Sequence, residues 1–173
     1  MMFRQLRVRA ASVRSISRLL GDAEAIARQR GGERPGAEHL VAAALRLPDG
    51  TAGRALERLG LDAEDFDAAL AAQEAEDLGR VGVHADGERI GAALPPPGDP
   101  SGVYRSEPSA QELFQAAGAE SRRARRTFVG AHVLAAAADL ERGPTARALR
   151  RMGVDRTALR EAALAEIEAQ ERL

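Results

Sequence analysis

The chain has no Cys, no Trp, no Lys and no Asn, and a single Tyr. Without Cys there is no disulfide, no thiol nucleophile and no cysteine-held metal. Three His without Cys make a poor zinc site, so neither metal nor cofactor is expected. Aromatics are 3% of the 173 residues, so small aliphatics must fill the core. A β-sandwich or barrel draws on β-branched and aromatic residues and is disfavoured. No apolar run approaches the ~20 residues that cross a bilayer, and no membrane partner is expected. Met1 to Arg9 is positive, but Arg14 and Arg18 interrupt any apolar stretch behind it. No signal peptide is read, and a cytoplasmic protein is expected. No nucleophile-elbow signature is present, and the chain is expected not to be an enzyme.

What is present points to helices. Hydrophobic residues make up 45% of the chain, with Ala and Leu dominant, and both favour helix. The length suits one compact domain or two half-domains sharing a core. Net charge is −1 and the pI is near 6.3, so no global positive field draws nucleic acid. All basic residues are Arg, a mark of genome composition more than of function. Charge is nonetheless segregated. Met1 to Gly31 holds seven Arg against Asp22 and Glu24, whereas Glu57 to Asp77 holds eight acids against Arg58. This fits an internal match between helices or an acidic face for a partner. Solvated helix faces are the simpler reading.

The chain repeats itself. Gly53-Arg54-Ala55-Leu56-Glu57-Arg58-Leu59-Gly60-Leu61-Asp62 returns as Ala146-Arg147-Ala148-Leu149-Arg150-Arg151-Met152-Gly153-Val154-Asp155, 93 residues later. Upstream, Pro35-Gly36-Ala37-Glu38-His39-Leu40 resembles Val129-Gly130-Ala131-His132-Val133-Leu134. That spacing is too long for a solenoid and indicates a duplicated domain. Periodicity and punctuation predict helices over 11–29, from Gly36 to about Leu47, over 51–59, and after Asp62, whose side chain suits an N-cap with Asp65 completing an imperfect capping box. The second half predicts helices from Pro108 to about Arg126, over 131–141 and over 145–152, and a last one capped by Asp155. The expected division is 1–78 for the first repeat, 79–106 for a Gly/Pro-rich linker or loop, and 107–173 for the second. Within the linker, Val81, Val83 and Ile90 could form a short hairpin around Asp86-Gly87, and His84 stands alone.

Two four-helix halves with a G-x-E-H-L start to the second helix and an A-x-x-x-L-x-x-x-G-[LV]-D close resemble the N-terminal repeat domain of the Clp/Hsp100 unfoldases. The opening Met1-Met2-Phe3 is similar to ClpC members in particular. The resemblance implies an all-α, pseudo-twofold domain of about eight helices. It implies binding of protein substrates or adaptors for a Clp ATPase–ClpP system, or of a peptide-like small molecule, by a monomer. A Clp motor needs a G-x-x-x-x-G-K-[ST] loop, and a chain without Lys has no such lysine. The chain therefore reads as a free-standing version of a domain that is usually an appendage, or as a piece of a longer one.

In ClpC relatives each half offers a phosphoarginine pocket at G-T-E-H. Here Gly36, Ala37, Glu38 and His39 keep all but the hydroxyl. Glu38 at a helix start suits a guanidinium, and the free amides suit a phosphate; alternatively it only favours the helix dipole. The second copy, Gly130, Ala131 and His132, has His132 in place of the carboxylate or lacks that position. Glu107 and Val13 replace hydroxyl residues of the family pattern, and Glu107 would repel a phosphate. Binding is expected to be degenerate. The structural reading of His39 and His132 is a packed imidazole bonded to backbone at a helix start. Arg122, Arg123, Arg125 and Arg126 form the sharpest basic cluster, read as a docking surface for an acidic partner or as a solvated helix end. The rival function is a transcription regulator or nucleic-acid binder using the Arg-rich helices; the absence of interleaved aromatics weighs against it.

Overall fold

The structure, a computed structural model, describes residues 2–80, 106–170 and 172. The hairpin expected around Asp86-Gly87, His84 and nearly all of the linker expected at 79–106 lie outside the described residues. Those residues form eight α-helices and no strand. They are α1 (Met2–Gln29), α2 (Ala37–Leu45), α3 (Thr51–Glu57), α4 (Ala63–Arg80), α5 (Pro108–Ala124), α6 (Gly130–Ala137), α7 (Gly143–Arg151) and α8 (Arg156–Gln170).

Most boundaries follow local chemistry. Asp62 Oδ1 accepts the N–H groups of Glu64 and Asp65 at 2.8 and 3.0 Å, and Asp65 Oδ2 accepts the Asp62 N–H at 2.9 Å. The capping box read from the sequence is therefore complete, with Asp in the place of Glu. Asp155 opens α8 in the same way, accepting the Ala158 N–H at 2.7 Å. Four expected limits shift. Helix α1 starts well before residue 11. Helices α2 and α6 stop early, because Arg46, Leu47, Asp139 and Leu140 donate three residues back and tighten the chain out of the α-helical path. Gly143-Pro144 does not precede α7 but forms its first turn, where a missing N–H costs nothing.

The packing is a twofold pattern with exchange. Helix α1 lies on α2 as α5 lies on α6, and α2 meets α4 as α6 meets α8. Helices α2 and α6, apolar on nearly every face and buried accordingly, pack on each other at the centre. The outer helices then cross over: α3 packs on α8, and α4 on α7. Leu19, Leu40, Leu56, Leu70, Leu113, Leu134 and Leu159 are fully buried in this core, as are Phe66 and Phe128. Each such side chain contributes about 1.5–3 kcal/mol through burial.

The segregated charges serve these crossings. Arg147 and Arg151 of α7 reach Asp77 and Glu76 of α4 at 3.4 and 2.6 Å. Arg30 at the end of α1 bonds Asp67 and Glu74 of α4. On the opposite side Glu166 of α8, buried, is held by Arg54 and Arg58 of α3 at 2.7 and 2.6 Å. Burial alone would push the Glu166 carboxyl up, but the two guanidinium hydrogen bonds outweigh it and hold the group below its ordinary value. The acidic stretch is thus in good part an internal match, not only a solvated face.

The ends of α1 and α5 close alike. Gly32 N–H donates to Ala27 O at 2.9 Å, and Arg126 N–H to Ser121 O at 3.0 Å, each following a residue in the left-handed region. That residue is Gly31 in the first half (φ 79°) and Arg125 in the second (φ 54°). An L-residue there costs on the order of 1 kcal/mol relative to glycine.

Candidate functional site

Gly36 is the N-cap of α2 and Val129 that of α6, and in both the third helical residue is a histidine. His39 Nδ1 accepts the Gly36 N–H at 2.9 Å, and His132 Nδ1 accepts the Val129 N–H at 3.2 Å. Each imidazole thus caps the helix that carries it, as the backbone-bonded reading expects. Burial pushes both below the ordinary histidine value, which keeps them neutral; Arg30 adds to this at His39, and the Val129 hydrogen bond partly opposes it at His132. His132 is fully buried and stacks on Phe128, ring centroids 5.7 Å apart.

Matching the two caps corrects the register of the repeat. His132 stands where His39 stands, not where Glu38 stands, and the carboxylate position is taken by Ala131. Val129 matches Gly36. The slip arises because the link from the left-handed cap to the next helix is one residue shorter in the second half.

At the first start, Gly36, Ala37, Glu38 and His39 come together with the opening of α5. Glu107 N–H donates to Pro35 O at 3.0 Å, and Ser109 Oγ accepts the Ala37 N–H at 3.3 Å. The Glu38 carboxylate does not project outward but curls back over Gly36. A Cβ on Gly36 would lie 2.5 Å from Glu38 Oε1, so glycine is what admits it. Oε1 sits 3.2 Å from His39 Nδ1, whose lone pair already takes the Gly36 N–H; this contact is therefore not an ion pair. Among the described residues Glu38 Oε2 is buried without a partner. Burial raises the carboxyl above its ordinary value, opposed by its own backbone N–H.

At the second start the cradle is filled from within. Gly130 N–H meets both oxygens of Asp49 at 3.2 and 3.3 Å, and Ala131 N–H donates to Thr51 Oγ1 at 2.9 Å. Thr51 in turn donates its hydroxyl to Asp49 at 2.6 Å. Asp49 and Thr51 come from the turn before α3, in the other half of the chain. Gly130 presses so closely on α2 that an added Cβ would lie 2.8 Å from the Ala44 carbonyl oxygen. The amides read as a ligand cradle at Gly130 and Ala131 are thus engaged, and His132 offers no exposed edge.

The Clp repeat (R) N-terminal domain family matches residues 14–94. The crystal structure of the N-terminal domain of the caseinolytic protease-associated chaperone ClpD from Arabidopsis thaliana superposes with a TM-score of 0.53 at 17% identity, over 91% of this chain and 92% of that one. This is the Clp N-terminal domain fold. No curated protein matches the chain. Within this Clp repeat fold the family match begins in α1 and covers the Glu38 start, leaving the Asp49-filled start of α6 outside it.

Two features are not legible in the sequence. An open groove of about 730 Å³ runs between α1 and α4, floored by Ile26, Ala68 and Ala71 and edged by Arg18, Arg46 and Asp67. Asp67 binds Arg46 as well as Arg30 there. The Asp49–Thr51 plug leaves no local signal because its partners are 80 and 81 residues away. Among the described residues no cluster could hold a metal, and no helix is long and apolar enough to cross a membrane.

Proposed function

We propose that this chain is a non-enzymatic, cytoplasmic and monomeric binding module. It would recognise protein substrates or adaptors of Clp-dependent proteolysis and deliver them or hold them back. Support comes from the Clp N-terminal fold and from the nature of its structural relative, a chaperone associated with a caseinolytic protease. We further propose one degenerate phosphoarginine-type site, at Glu38, instead of two. The observation that carries this is the contrast between the starts: Glu38 keeps a carboxylate oxygen without a partner, whereas Asp49 and Thr51 occupy the amides of Gly130 and Ala131. A guanidinium would require the Glu38 carboxylate to turn out from over Gly36, and Glu107 next to it disfavours phosphate. Weak binding follows.

Titration calorimetry of phosphoarginine against the full chain tests the site. Weak binding at one site per chain, lost in Glu38→Ala, is expected. Two sites, or binding that ignores the substitution, refutes the placement. A pull-down from the source cell tests the wider reading: recovery of a Clp ATPase, ClpP or their clients supports it, and recovery of none counts against it.

A further inference from the structure

The C-terminal end of α5 carries a feature that the Glu38 site does not use. Elsewhere many arginines are engaged: Arg30, Arg46, Arg54, Arg58, Arg147 and Arg151 each bind a carboxylate. Arg122, Arg123 and Arg125 are exposed and form no ion pair among the described residues. Arg126 follows directly, half-buried. Arg122 lies back along the helix over Gly118, whose missing side chain leaves it room.

Arg125 is the telling member. Among the described residues it is the sole non-glycine at positive φ, and the matching place at the end of α1 is Gly31. The two caps close with the same hydrogen bonds, so the cap itself asks only for glycine. The Arg125 side chain contributes nothing to the closure and meets no acid among the described residues. Backbone strain is thus retained beneath a guanidinium that has no partner there.

We propose that this end of α5 docks an acidic segment of a partner protein, a short run of Asp and Glu side chains. Guanidinium forks pair with carboxylates two bonds at a time. Nucleic acid fits less well. Phe128, the next aromatic along the chain, is buried and unavailable for base stacking. The proposal stands independently of the Glu38 site.

Fluorescence anisotropy of labelled hexaglutamate against the full chain tests it, with hexalysine and a short DNA duplex as comparisons. Hexaglutamate is expected to bind at low salt and to be released by added salt. Each exposed charge is worth roughly 2–5-fold in affinity, so the Arg122/Arg123/Arg125→Ser triple variant should lose about tenfold or more. Arg125→Gly separates charge from structure: it should weaken binding about 2–5-fold while the melting temperature stays level or rises. Binding unchanged in the triple variant or in Arg125→Gly, no salt-sensitive binding, or a preference for the duplex would overturn the proposal.

Discussion

The helix starts at residues 36–39 and 129–132 share a histidine in the same role, yet they treat the amides around it differently. In the first half Gly36 makes room for the flexible side chain of the chain's own Glu38. In the second, Gly130 makes room for the rigid carbonyl of Ala44 on a facing helix. The first start is capped lightly by Ser109, the second firmly by Asp49 and Thr51. Both starts are largely buried, but the first keeps a buried carboxylate oxygen that meets no partner among the described residues. A buried polar atom without a partner destabilises by about 1–3 kcal/mol; Glu38 Oε2 is one such atom among the described residues, as are His132 Nε2 and Thr145 Oγ1.

The sharpest way to break this comparison is to add one methyl at each glycine. Gly130→Ala should destabilise by about 2–3 kcal/mol in urea unfolding, because backbone cannot yield to the new Cβ. Gly36→Ala should cost less than about 1 kcal/mol, because the Glu38 side chain swings aside. Equal costs would mean that both starts are equally buried. Next come the caps. Asp49→Ala should cost about 1–2 kcal/mol and Ser109→Ala about 0.5 kcal/mol, read from the same unfolding curves. The reverse order would sink the claim that the second start is the firmly closed one.

The smallest effect is on pH. Both histidines are held below their ordinary value of about 6.5, so the unfolded chain binds more protons than the folded one as pH falls through that region. Their contribution is complete above about pH 6.5 and is lost as pH falls toward the lowered folded values. Glu38 has the opposite sign: its raised carboxyl favours the folded state in acid, and that contribution fades as pH rises through the folded value. Stability measured at pH 7.5 and 5.5 should therefore fall on acidification. His39→Asn/His132→Asn, which keeps an acceptor for each N-cap amide, should flatten the difference; an unchanged slope would show that other groups set it.

How much of this is legible in the sequence depends on the range of the interaction. Asp62 and Asp155 announce their helices because a cap acts within three residues. The duplicated Leu-x-x-x-Gly close announces a helix end because glycine takes the left-handed turn at Gly60 and Gly153. The upstream match of the halves sets His132 off by one residue because the loop before it is shorter; the 93-residue spacing of the closing motif and the matching hydrogen bonds give the true pairing. Arg125 is visible as charge, but not as a strained cap, since backbone dihedrals are not written in composition.

Local chemistry therefore set the presence and order of the eight helices, the aspartate caps of α4 and α8, the aliphatic core and the two copies of one plan. The crossing of α3 onto α8 and α4 onto α7, the closing of one helix start by Asp49, and the burial of Glu38 were decided only when distant segments met. The reason is geometric: capping, periodicity and turn preference act over a few residues, whereas desolvation and close approach depend on what packs against them from the far half of the chain.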